Sequence, residues 1–161
     1  MCVNFTKTKD GDKLHLTQEG GHSQSSVAHS KYTTGKEVSN SLIKQASKTK
    51  NISIFENHLA VNLISKNKTC LGAYVFDKKK EKVITFKSDA TILASGGASK
   101  VYLYTSNPDG TSGDGMALAW RAGCELSNME FNQFHPTCLY HPEATSFLIS
   151  EALRGEGAVL L

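Results

Sequence analysis

The chain is poor in the residues that staple, span or signal. It has four cysteines, Cys2, Cys70, Cys124 and Cys138, and no CxxC pair. That spacing supplies neither a zinc knuckle nor a disulfide framework, so reduced thiols in a cytoplasmic protein are the expectation. No apolar run approaches the ~20 residues of a membrane-spanning helix. The opening MCVNFTKTKDGD has no apolar signal core. The net charge of +3 is too small to imply nucleic acid. Also missing is GxGxxG, the strand-to-helix turn that marks a dinucleotide fold.

What is present describes a mixed α and β chain. The 161 residues are 39% hydrophobic and 20% charged, as in an ordinary globular domain. A domain of this size is expected to bury about 68–70% of its unfolded surface. Residues 2–7 and 13–17 alternate around Asp10-Gly11-Asp12 like a β-hairpin. Val38, Leu42 and Ala46 recur every four residues, predicting a helix from Thr34 to about Lys48. A short strand is expected at 52–55, then three at 58–65, 69–77 and 81–87, close enough for an antiparallel meander. Lys78, Lys79 and Lys80 fall at a hairpin tip, where solvent takes them. The run Ala90 to Ala94 reads as a buried strand of a parallel sheet, ending in Ser95-Gly96-Gly97. A helix is expected from about Met116 to Gly123, and a short one near 150–154.

Four groups of residues could carry chemistry. Gly96 and Gly97 follow an apolar strand, where backbone can approach a ligand with no Cβ in the way; a plain tight turn looks the same. Asp114, in Gly113-Asp114-Gly115, suits a helix first turn and could also accept bonds from ligand hydroxyls. Glu19-Gly20-Gly21-His22-Ser23 is a flexible acidic loop. It partly mimics the GxSxG nucleophile elbow, but lacks the helix an elbow needs. The richest stretch runs from Met129 to Gly157. His135 precedes Pro136, which pushes it out of the α region and presents the imidazole from stiff, irregular backbone. Zinc on His135, Cys138 and His141 would need a helix that Pro136 and Pro142 oppose.

QFHPT followed by EALRGEG resembles the flavoprotein-subunit family of succinate dehydrogenase, fumarate reductase and L-aspartate oxidase. EGGHS and FHPTCLYHP resemble the L-aspartate oxidase branch. The dehydrogenase branch usually carries a Gly-rich stretch in place of Tyr140, His141 and Pro142. The resemblance implies FAD, contacted by Leu59, Ser95, Gly96, Gly97 and Asp114. It implies a dicarboxylate substrate, L-aspartate, with fumarate as a possible electron acceptor. His135, Ser150 and Glu151 would bind the substrate, and Glu19 would orient it through its amino group. Departures exist. Ser95 stands for the usual Thr, as does Ser150. Ser25 and Ser26 replace an Arg pair, and Tyr32 replaces an Asp.

The implied fold class is an incomplete FAD-binding Rossmann-like α/β domain with an antiparallel meander, plus the start of a capping domain. Residues 1–132 would form the first and 133–161 the second. In the family a Gly-rich βα unit precedes the matched region, and the proton-transferring Arg follows RGEG. Residues 1–161 are therefore expected to be a middle portion, inactive alone, or a chain complemented by others carrying the missing segments. The alternatives are a piece of a fumarate reductase or succinate dehydrogenase flavoprotein, or a non-catalytic binding module.

Overall fold

A computed structural model describes every residue except 1, 2, 31, 32, 145, 150, 160 and 161. Cys2, Tyr32 and Ser150 therefore lie outside the described residues. The chain forms two compact units. The first comprises residues 1–54 with 148–161, and the second is Phe55–Phe147.

In the first unit, β1 (Leu16–Thr17) pairs antiparallel with β2 (Val27–Ala28). The expected hairpin is present only in outline. Lys7 bridges Leu14 around a turn in which Gly11 adopts φ 77°, but Leu16 and Thr17 pair onward with residues 27–28. The Thr6 carbonyl accepts from His15 N–H at 2.9 Å while Thr6 N–H donates to the His29 carbonyl at 2.8 Å. Residues 3–7 are thus shared between two neighbours, which alternation cannot reveal. Helix α1 (Thr34–Lys48) has the expected bounds, with Glu37 in its first turn and Lys48 in its last, both favourable to the helix dipole.

The second unit is built on the expected meander. Strands β3 (His58–Lys66), β4 (Thr69–Asp77) and β5 (Lys82–Lys87) pair in that order, each antiparallel to the next. The β3–β4 turn places Asn67 and Lys68 at φ 51° and 61°, the two positive values that suit a two-residue hairpin. The β4–β5 tip is exposed and is held by Asp77, which is 3% exposed. Its Oδ1 accepts from Lys79 N–H at 2.9 Å and Lys80 N–H at 3.1 Å. Its Oδ2 lies 3.7 Å from His58 and 3.8 Å from Lys80 Nζ.

Burial pushes the Asp77 carboxyl up, but the two amide donors and the His58 and Lys80 charges outweigh it and hold its pKa below the usual value. A folded-state value below the unfolded one stabilises fully above the ordinary carboxylate pKa near 4. That contribution is lost as pH falls through the depressed value. Asp77→Ala should therefore lower the thermal midpoint at pH 7. The gap to the parent should close in circular-dichroism melts below about pH 4; a gap independent of pH would mean the carboxylate charge contributes nothing.

Helix α2 (Asp114–Arg121) lies against β3 and starts two residues earlier than expected, because Gly113 at φ 84° turns the chain into it. Leu118, 3% exposed, is the buried apolar anchor. Val61 falls at a register shift between Ala60 and Asn62, and its carbonyl accepts from Arg121 Nη2 at 3.2 Å, while Asn62 Oδ1 accepts from Arg121 Nε at 3.1 Å. The bulge thus gives α2 its tie to the sheet. Two short strands, β6 (Cys138–Leu139) and β7 (Phe147–Leu148), pair with each other. A last turn of helix, α3 (Ala152–Gly155), returns to the first unit.

Two expected strands are absent. Residues 52–55, expected as a short strand, and 90–94, expected as a buried one, join no ladder, and Ile92 is 90% exposed. The chain exposes 13284 Å², where a self-contained protein of its mass exposes about 7,900 Å². It therefore buries roughly half of its unfolded surface rather than two thirds. A continuous apolar run encodes a demand for cover, and no described segment supplies it here.

Candidate functional site

In the second unit the chain leaves β5 and is tied back to β4 before it reaches the glycines. Ser88 N–H donates to the Leu71 carbonyl at 3.1 Å, and the Cys70 thiol donates to Thr91 Oγ1 at 3.5 Å. Ser95, Gly96 and Gly97 then turn, with Gly96 at φ 74°. This turn meets the start of α2. Gly113 N–H donates to the Gly97 carbonyl at 3.1 Å. A Cβ at Gly115 would overlap the Ser95 hydroxyl.

Four of the five expected flavin contacts, Ser95, Gly96, Gly97 and Asp114, thus fall on two adjoining backbone segments. Ser95, Gly96 and Gly97 are exposed, and their N–H groups make no hydrogen bond among the described residues. Nothing lies within 4 Å of a Cβ built on Gly97. Asp114 is exposed at the first position of α2, and its carboxylate has no partner among the described residues. Unpaired amides beside a helix N-terminus, with one free carboxylate, fit a ligand carrying both acceptors and hydroxyls. FAD has both. Leu59, the fifth, sits on β3 opposite Phe76 and is 45% exposed. It lies on the strand that packs against α2, with no described contact to the glycine turn.

His135 also lies in the second unit. Its Nδ1 accepts from Thr137 N–H at 3.2 Å, with Thr137 Oγ1 at 3.4 Å, and Thr137 is buried at 7% exposed. A ring nitrogen that accepts an amide bond carries no proton, so the neutral ring keeps its proton on Nε2. His135 is thereby a donor through Nε2. Thr137, two residues past the histidine, is the member of this turn that sequence reasoning did not single out. His141 makes a similar turn, accepting from Glu143 N–H at 3.2 Å. No group of three or more metal-ligating side chains converges among the described residues.

The first unit brings together the other acidic positions. Glu19 N–H donates to His22 Nδ1 at 3.3 Å, and His22 N–H returns to the Glu19 carbonyl at 3.0 Å. Gln18 Nε2 donates to the His22 carbonyl. The loop is closed on itself, with Gly21 at φ 93°, and residues 24–30 after Ser23 are not helical. The Glu19 side chain is half-buried and its carboxylate has no hydrogen bond among the described residues. Glu151 Oε1 pairs with Arg154 Nη2 at 3.2 Å across α3. The α3 turn packs directly on the Glu19 loop, since a Cβ at Gly155 would overlap the Gln18 carbonyl. Cys70, Cys124 and Cys138 are free thiols.

Residues 1–161 match the sequence profile of the FAD binding domain. The chain is 58% identical over 154 residues to an L-aspartate oxidase of Pseudomonas aeruginosa, covering 92% of this chain and 29% of that protein. It is 54% identical over 166 residues to an L-aspartate oxidase of Acinetobacter baylyi, covering 98% of this chain and 30% of the other. Among solved structures it is similar to a mutated E. coli quinol fumarate reductase FrdA. That match has a TM-score of 0.90 and 26% identity, and covers 96% of this chain and 26% of the other. The chain spans less than a third of the length of these relatives.

Proposed function

The chain belongs to the FAD binding domain family, and from that premise we propose that it works within an L-aspartate oxidase, converting L-aspartate to iminoaspartate for NAD biosynthesis in the cytoplasm. Residues 1–132 would serve the flavin and residues 133–161 would begin the part that caps the substrate. Fumarate or oxygen would reoxidise the flavin.

The Ser95–Gly97 turn and the first turn of α2 would hold FAD through backbone amides, with Asp114 accepting from its hydroxyls. When bound, FAD supplies the acceptor for the hydride that leaves the substrate Cα. The chain's own residues bind and orient. His135 donates through Nε2 to a substrate carboxylate, a charge-assisted bond. Ser150 and Glu151 are assigned to the same substrate. Glu19 accepts from the substrate ammonium and fixes which face of Cα is presented. Losing a hydride from Cα and one ammonium proton to solvent leaves the protonated imine, C=NH2+.

The observation that carries this reading is the free carboxylate of Glu19 in a loop whose backbone is otherwise closed. An acid left without a partner serves a substrate with a cation, which aspartate has and succinate lacks. The test is Glu19→Gln in the full protein with FAD. A charge-assisted contact is worth roughly 1.5–3 kcal/mol, so kcat/KM for L-aspartate should fall about 10- to 100-fold while fumarate reduction holds. Unchanged aspartate oxidation would remove Glu19 from the site.

A further inference from the structure

Resting on that reading, we propose that Arg154 is the positioning residue that seats the Glu19 loop, and that Gly20 and Gly155 are glycine because this seat has no room for a side chain. The contact has two halves. On one side, a Cβ at Gly155 would lie 2.8 Å from the Gln18 carbonyl carbon and 3.3 Å from Glu19 Cα, besides overlapping the Gln18 oxygen. On the other, a Cβ at Gly20 would lie 2.9 Å from both Cζ and Nε of Arg154 and 3.1 Å from its Cβ. Backbone of the loop rests on backbone of α3, and the Arg154 side chain lies against Gly20.

Neither glycine is there for its dihedral angles. Gly20 and Gly155 are absent from the positive-φ positions, whereas Gly21 is at φ 93° with nothing within 4 Å of its Cβ position. Gly21 is required by conformation, and Gly20 by space.

The charges explain why the seat bears on specificity. Arg154 packs against Gly20, the residue after Glu19. Its Nη2 pairs with Glu151 at 3.2 Å. Its Nε is enclosed with no partner among the described residues. The enclosed Nε and Cζ lie 2.9 Å from a Cβ built on Gly20, which makes Gly20 the packing surface for this side chain. With Arg154 so occupied, Glu19 keeps its carboxylate for an ammonium group. A methyl at position 20 must displace the guanidinium or lift the loop, and either change blunts the reading of that group.

The experiment uses the full protein with FAD, titrated with L-aspartate and with succinate while flavin absorbance reports binding. Gly20→Ala should lower the aspartate-to-succinate affinity ratio about 10-fold or more, as expected when one charge-assisted contact is lost, with succinate binding unchanged. Amide hydrogen exchange should quicken at residues 18–22 and 151–156 together. Arg154→Ala removes the two nearest atoms the methyl meets, Cζ and Nε, and leaves only Cβ at 3.1 Å, so Gly20→Ala should add little in that background. If Gly20→Ala alone does not accumulate as folded protein, its recovery by Arg154→Ala is the supporting result and failure to recover the opposing one. An unchanged ratio with unchanged exchange, or effects of the two substitutions that multiply, overturns the proposal. A parent protein with no preference for aspartate would instead sink the functional reading, while the exchange measurement still decides whether the seat exists.

Discussion

Gly115→Ala is expected to raise the dissociation constant for FAD about 30-fold in the full protein, from roughly 2 kcal/mol of lost interaction. The new methyl would overlap the Ser95 hydroxyl and come within 2.9 Å of the Ser95 Cβ. Rotating the hydroxyl away leaves the second contact in place, so α2 and the Ser95–Gly97 turn must part. Forcing a methyl into close packing costs about 1–3 kcal/mol. The misfit falls between the two segments assigned to the flavin, so affinity should suffer more than folding does. Ser95→Gly in the same chain removes both obstructing atoms and should restore most of the binding. Fluorescence or absorbance titration with FAD reads both variants. Loss of affinity that Ser95→Gly does not relieve would mean that the helix start and the glycine turn are not one cradle.

Gly72→Ala is the largest expected loss of stability. Gly72 lies in the middle strand of the meander, paired with Ile64 on one side and Lys87 on the other. It adopts φ 132°, where an L side chain is strained by about 1–3 kcal/mol. Its Cβ would also overlap the Phe86 carbonyl oxygen and lie 3.0 Å from Lys87 Cα. These are backbone atoms of a paired strand and cannot swing aside. Strain and overlap together should cost about 3 kcal/mol or more, a large part of a typical 5–15 kcal/mol. A fall of about 10 °C in melting temperature follows for a chain of this length. Gly35→Ala, on α1 with open space around it, is the matched control and should leave the melting temperature unchanged or slightly raised. Equal effects at the two positions would argue that the sheet tolerates side chains at its centre.

The elements that local pattern governs were legible. The meander strands were readable to within a residue at each end because alternation and the Lys-rich tip are local signals. Helix α1 was readable from Val38, Leu42 and Ala46, although Leu42 remains 46% exposed. The hairpin around Gly11 was only half legible, since Leu16 and Thr17 take partners at 27–28 that no short window contains. Residues 90–94 read as buried because five consecutive residues demand cover. Whether cover exists is a property of neighbours, not of the run.

The candidate site divides the same way. Gly96, Gly97 and Asp114 stood out by spacing, and EGGHS, QFHPT and EALRGEG identified the family that the chain-wide match with the FAD binding domain bears out. FAD as the cofactor followed from the family resemblance, since the glycines alone fit a plain tight turn equally well. The tertiary structure decided what those residues touch. Only there does Gly115 abut Ser95, does Thr137 fix the proton of His135 on Nε2, and does Arg154 lie against Gly20. Each is a contact between segments apart in the chain or between a side chain and a particular backbone amide. Such contacts follow from how elements come together, and no periodicity in the sequence encodes them.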